Sequence, residues 1–598
     1  MKGRSMVYAL IALLAALLVL SVIGWRGWWT PYRDARVEPV SVVRQQQEPT
    51  DGTTTLFVVV HGLDNGLYYS SIVGALKPNG DVLPLRYPNG YLSNAEPQNL
   101  ADGIAQAVSL AYRPDRHRHI VLVGQSMGAL LVRRALLDAE NGQAAWARAV
   151  TRVVLLAGMN RGWDISGKKP SDMSATTWLA MWVGSWFGRL TDTGRLIRSA
   201  EAGAPFVADL RLDWMRRFQK PQARPVEVVQ LLGDIDDIVG EDDNKDLLSM
   251  SSRRFAWLRV RGTGHLGISD FADTKHFGDA QETLGGYRQR KFLLAATAGF
   301  DAVMAENEEL PFQPDYEVRQ VVFVLHGIRD LGEWAFAFER ELKFEHDRLG
   351  LPGKIAVASI RYGYFGMGPF ILEPGRQKYV KWLMDEYTET LARYPNAEQI
   401  HVVAHSNGTY LFASALEQYH AMKVGRVVFG GSVVRRGYDW SHRFEDGQIG
   451  YLRNYVAADD WVVALFPRFF EPRPVFKLLR NDIGSGGFNG FDEEPKGLEN
   501  VRYVVGGHPA FLERIREISR MLLAEKVEPL HDIPQPSAGQ PRAWLKWLSD
   551  WGVWFVVWLP LAVIVAFVGW RVTVSATTPA WPFLLLFVTL VLAILKVA

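Results

Sequence analysis

The sequence predicts an α/β protein made of two consecutive units, each a doubly wound, mostly parallel sheet, with one apolar span before them and two after. Three observations carry this. Short strand-like runs alternate with helical stretches through both halves, and strands alternating with helices imply a parallel sheet covered on both faces. One ordered set of landmarks occurs twice. Long apolar runs stand at both termini.

The first span, residues 6–25, has the length a helix needs to cross a hydrocarbon core. Lys2 and Arg4 would suit a signal peptide, but the stretch from Gly24 to Trp29 has no small-x-small cleavage site, so an anchor is expected. Residues 37–54, with Gln45, Gln46 and Gln47, look like a polar tether. The first unit, 50–305, follows, with strands expected at 56–60, 82–86, 120–123, 153–156, 226–232 and 257–261. Prolines and acids at 306–316 interrupt both periods and mark a break. The second unit, 316–525, repeats the plan at 321–325, 355–361, 401–404, 427–429, 451–457 and 501–505. A proline-rich stretch, 529–541, leads to an expected transmembrane hairpin over 551–595, with Trp547, Trp551, Trp554, Trp570 and Trp581 near the span ends. Positive charge nearly ties across these spans. The short basic N-terminal tail favours placing both units on the periplasmic side of a bacterial inner membrane.

Composition excludes several classes. A chain of 598 residues is too long for one domain. A formal charge of +2 gives no global attraction to nucleic acid, and no nucleic-acid partner is expected. The absence of cysteine rules out disulfides, thiolate metal sites and a cysteine nucleophile. There is no P-loop and no His-Glu-x-x-His, so neither a cofactor nor a metal is expected.

The repeated landmarks point to nucleophilic catalysis. In each half an apolar strand ends in His-Gly, His61-Gly62 and then His326-Gly327. A later strand runs into a serine turn, Gly124-Gln125-Ser126-Met127-Gly128 and Ala404-His405-Ser406-Asn407-Gly408. A serine between a buried strand and a helix sits on a strained turn whose flanking residues must be small. Its hydroxyl needs a base to take its proton. His265, in a small-residue loop after the last strand of the first unit, is the candidate there, and His508 has the same setting in the second. An acid must orient each imidazole. Pairing Val239 with Val463 aligns Asp236 with Asp460, the positions acidic in both halves; Asp237 and Asp459 are the alternatives. Backbone amides of Leu63 and Met127, and of Ile328 and Asn407, are the expected oxyanion donors. His61 and His326 are assigned to shaping that loop, and His405 to packing.

The repeat extends further, since Arg86-Tyr87 returns as Arg361-Tyr362 and Arg161-Gly162-Trp163-Asp164 as Arg436-Gly437-Tyr438-Asp439. The halves differ between nucleophile and acid, where the first is about twice as long. Its extra segment holds Trp178, Trp182, Trp186 and Phe187, read as a cap, a face laid on a bilayer, or a core helix.

At these motifs the chain resembles the α/β-hydrolase superfamily, in particular its lipase- and esterase-like members, over roughly 50–305 and 316–525. The resemblance implies a Ser-Asp-His mechanism through an acyl-enzyme. The expectation is a membrane-anchored tandem serine hydrolase cleaving carboxylic esters of a lipid or acyl substrate. Two alternatives stand beside it. In one, a single unit, the first, is catalytic and the other serves docking or regulation. In the other, the chain is a non-catalytic membrane scaffold, against which two complete triads argue.

Overall fold

A computed structural model of the chain describes residues 37–39, 41–47, 52–63, 69–88, 93–163, 194–219, 224–236, 238–239, 244, 254–276, 282–308, 313–327, 333–360, 373–464, 483–527 and 542–553. The chain divides into two compact units, Met1–Pro314 and Asp315–Ala598.

Unit 1 holds a seven-stranded sheet built from β1 (Glu38–Pro39), β2 (Thr54–Val60), β3 (Asp81–Arg86), β4 (His117–Gln125), β5 (Val150–Leu156), β6 (Glu227–Gly233) and β7 (Phe255–Val260), in the order 1-3-2-4-5-6-7. All neighbours are parallel except β1, which pairs antiparallel with β3. The longer helices are α1 (Tyr69–Leu76), α2 (Pro97–Ala111), α3 (Met127–Asn141), α4 (Pro205–Gln219) and α5 (Leu284–Thr297). β2 and β5 read as nearly unbroken apolar runs because both faces of a helix-covered parallel sheet are buried.

Unit 2 has six strands, β8 (Val318–Leu325), β9 (Lys354–Ile360), β10 (Gln399–His405), β11 (Val424–Gly430), β12 (Ile449–Ala457) and β13 (Leu498–Val504), all parallel, in the order 13-12-11-10-8-9. Read from the other edge, 9-8-10-11-12-13 repeats 3-2-4-5-6-7 of unit 1, so connectivity is duplicated along with the motifs. Its longer helices are α6 (Glu333–Arg348), α7 (Glu373–Arg393), α8 (Asn407–Gln418), α9 (Ile515–Leu523) and α10 (Ala543–Val553).

The expected fold class needs one correction. Among the described residues no helix is long and apolar enough to cross a membrane, so transmembrane helices do not form part of the fold class that the structure supports. The expected span at 6–25 lies outside the described residues, as does 551–595 beyond the end of α10 at Val553. The aromatic segment with Trp178, Trp182, Trp186 and Phe187 also lies outside them.

The expected tether at 37–54 is in part structured. Glu38 and Pro39 pair with β3, and Val43 bridges Val82. What pins this polar segment is the buried carboxylate of Asp81, which accepts from Arg44 Nη1 and the Gln45 amide at 2.8 Å each and from Arg116 Nε at 2.7 Å. Burial pushes the Asp81 carboxyl up, but these donors and His117 outweigh it and hold it well below the usual carboxylate range.

Unit 2 buries an imidazole of its own in β10. His401 accepts from the Arg426 amide at 3.1 Å, and burial, helped by the Arg426 charge, pushes its pKa down to about 3. A histidine depressed in the folded state takes up its proton more readily unfolded. The contribution of His401 to stability is therefore complete above pH 6.5 and is lost as pH falls from there toward 3, by up to about 1.4 kcal/mol per pH unit. His401→Gln is expected to flatten this acid slope; denaturant titrations at pH 7 and 5 measure it, and an unchanged slope refutes the assignment.

Candidate active site

Each sheet presents its serine at the C-terminal end of the central strand. Ser126 follows β4 at φ 50°, ψ −117°, and its amide donates to the Leu156 carbonyl at 2.9 Å. Ser406 follows β10 at φ 52°, ψ −121°, with its amide on the Gly430 carbonyl at 3.0 Å. The two serines share one strained conformation. Small neighbours are obligatory here: a Cβ at Gly128 would lie 2.3 Å from the Val60 carbonyl, and one at Gly408 2.5 Å from that of Leu325. Ala404, where unit 1 has Gly124, is accommodated fully buried.

In unit 1 the expected residues meet. Ser126 Oγ stands 2.9 Å from His265 Nε2, and His265 Nδ1 stands 2.9 Å from Asp236 Oδ2. The other oxygen, Asp236 Oδ1, accepts from the amides of Ile238 and Val239 at 3.1 and 3.0 Å, which fixes the carboxylate's rotation. Side-chain exposure is 5 % for the imidazole and zero for the carboxylate. With an acceptor on Nδ1, the neutral ring carries its proton there and leaves Nε2 to face the serine. Asp237, the alternative acid, lies outside the described residues.

Around this chain, His61 stacks on Tyr87 with ring centres 4.4 Å apart and donates from Nδ1 to the Gly62 carbonyl at 2.7 Å, while Tyr87 Oη donates to the His61 carbonyl. Tyr87 thus helps to fix the His61-Gly62 turn that leads to Leu63, while Arg361-Tyr362 lies outside the described residues. Met127 is the first residue of α3, so its amide has no partner one turn earlier in the helix. Leu63 is partly buried beside the site.

Unit 2 assembles only part of the set. His508 Nδ1 stands 2.9 Å from Asp460 Oδ2, and Asp460 Oδ1 accepts from the Val463 amide at 3.0 Å. Asp459, the alternative acid, turns away to Arg542 at 2.9 Å. No hydrogen bond joins Ser406 to His508 among the described residues. Instead the His508 ring lies close against the Cα of Gly431 and packs on His405 with centres 4.8 Å apart. Burial works to lower the His508 pKa, but the charge and hydrogen bond of Asp460 outweigh it and raise it above the ordinary histidine value. Asn407 is fully buried at the start of α8, and Ile328 lies outside the described residues.

One residue with a place in the site carries no signal in the sequence. Arg288, on α5 and almost fully buried, donates from Nε to Thr263 Oγ1 at 3.0 Å and from Nη1 to the Asp270 carbonyl and the Asp273 carboxylate, at 3.3 and 3.1 Å. It clamps the loop that carries His265 from both sides. Arg288→Lys keeps the charge but loses the fork. We expect roughly a tenfold fall in the unit-1 kcat with KM little changed, as befits a misplaced base. Equal kcat with only a lower Tm would show a purely structural clamp.

Among the described residues no cluster of His, Asp or Glu could hold a metal ion. No protein-family model matches the chain, and no curated protein sequence matches it. Solved structures do resemble parts of it. Est1E from Butyrivibrio proteoclasticus, solved with ferulic acid bound, aligns at 15 % identity over 43 % of this chain and 95 % of its own, with a TM-score of 0.28. A lipase-esterase related protein from Clostridium acetobutylicum aligns at 13 % over 45 % and 98 %, TM-score 0.25. The type II thioesterase BorB from the borrelidin biosynthetic cluster aligns at 19 % over 39 % and 91 %, TM-score 0.23. Likeness of this degree decides nothing about chemistry, which rests on the geometry above. The chain thus carries two mostly parallel sheets that share one strand order over six strands, each with a serine on a strained turn after an inner strand.

Proposed function

We propose that the chain is a serine hydrolase that cleaves carboxylic esters of a lipid or other acyl substrate, with unit 1 as its assembled catalytic centre. The observation that carries this is the continuous path Ser126 Oγ to His265 Nε2 to His265 Nδ1 to Asp236, 2.9 Å at both contacts. Ser126 Oγ attacks the ester carbonyl carbon while His265 Nε2 takes its proton, and Asp236 stabilises the imidazolium. The oxyanion is received by the amides of Leu63 and Met127. Losing one such donor costs about 2.7–4 kcal/mol in the transition state. Collapse expels the alcohol, which takes the proton from His265, and leaves the acyl group on Ser126. Water, deprotonated by His265, then releases the carboxylic acid.

A second reading, in which unit 2 is idle or serves another role, is favoured by the missing Ser406–His508 contact, where unit 1 has Ser126 on His265. Fluorophosphonate labelling of wild type, Ser126→Ala, Ser406→Ala and the double variant tests both readings. Labelling lost with Ser126→Ala alone supports unit 1 as the sole active centre. Labelling lost only in the double variant supports two active units. An unlabelled wild type refutes the hydrolase reading.

A further inference from the structure

At the far end of α3 from Ser126, roughly 20 Å along the helix, lies a cavity of about 630 Å³ that the ester chemistry does not use. Helices α3 and α4 form its walls. Leu137, Glu140 and Asn141 face it from α3, and Asp213, Arg216 and Arg217 from α4, each set spaced three and four apart and so on one helical face. Gln143, Ala144 and Ala147, with Arg148 and Arg224, complete the lining.

Four arginines against one glutamate and one aspartate leave the cavity cationic, and the pairing inside it sharpens the imbalance. Arg217 clamps Glu140 through Nε and Nη2 at 2.7 Å each. Asp213 is already shared between Arg216 and Arg134. Among the described residues Arg148 and Arg224 have no ion pair. Arg217 itself has a side chain only 6 % exposed, held against Trp214 and Phe218, yet its buried Nη1 has no hydrogen-bond partner. A buried guanidinium nitrogen left unsatisfied costs free energy, and a bound acceptor would recover it.

We propose that this cavity is a binding site for a small phosphate-bearing anion, with Arg217 Nη1 as its fixed donor and Arg148 and Arg224 as the charges that close on it. Arginine suits this task because its planar fork matches phosphate oxygens. The volume is that of a small-molecule pocket, larger than one phosphate requires. Two unpaired guanidiniums favour a diphosphate over a single phosphate. The C-terminal carbonyls of α3 work against an anion at this end, so selectivity falls to the arginines.

Calorimetric titration of the full chain with pyrophosphate and with inorganic phosphate at low and moderate salt tests this. Saturable binding is expected, tighter for pyrophosphate and weakened by salt. Arg148 and Arg224 are exposed, so Arg148→Ala/Arg224→Ala is expected to fold with unchanged Tm and unchanged ester hydrolysis while losing at least about tenfold in pyrophosphate affinity. Absence of saturable binding by the wild type overturns the proposal. So does equal affinity in a double variant whose Tm matches the wild type.

Discussion

Ser126→Ala is expected to remove nearly all ester hydrolysis, lowering kcat by about 10⁴- to 10⁶-fold, the range over which removing a triad nucleophile acts. The alanine methyl fits where the serine Cβ already sits, so the protein should fold as before and bind substrate with little change in KM. The same change at Ser406 is expected to cost far less, because no hydrogen bond connects that hydroxyl to His508. Steady-state hydrolysis of a chromogenic ester by the two single variants measures the asymmetry directly. Equal losses would show that unit 2 completes its triad only when substrate arrives.

Asp236→Asn is the second large effect, a fall of roughly 10⁴-fold in kcat with the backbone undisturbed. The carboxylate accepts three hydrogen bonds, one from His265 and two from the amides of Ile238 and Val239. An amide in its place can keep an oxygen on the two backbone donors, but then points its NH₂ at Nδ1. That forces the imidazole proton onto Nε2, and the ring can no longer accept from Ser126. Kinetics of the variant on the same ester, with thermal denaturation as control, tests this. A loss below tenfold would show that Asp236 is not the orienting acid.

Much of this was legible because the chemistry constrains short stretches of chain. The serine elbows show in sequence because Val60 and Leu325 carbonyls leave no room for a side chain at Gly128 and Gly408. The strand runs show because both faces of the sheets are covered. Asp236 and Asp460 could be chosen over their neighbours only by aligning the halves; in unit 2 the structure supplies a physical distinction, with Asp459 engaged by Arg542 and Asp460 by His508. What stayed hidden depends on contacts distant in sequence. Arg288 looks like any helical arginine until Thr263 and Asp270 are brought around it. The polar run at Gln45 reads as a linker until the buried charge of Asp81 gives it something to hold. The apolar termini were read from their length, the tryptophans near the span ends and the lack of a cleavage site, and no helix among the described residues has the span they suggested.

The backbone at the two serines has a bearing on how this duplicated protein could change. A non-glycine residue at φ near +50° with ψ near −120° costs roughly 1–3 kcal/mol, and the chain carries that burden twice. A single codon change to glycine would relieve it at either position, since glycine occupies such angles freely. A disused copy would have every thermodynamic incentive to relax in this way. Ser406 holds the same uncomfortable posture as Ser126, so the second unit keeps the strain of the elbow although its hydroxyl makes no hydrogen bond to His508.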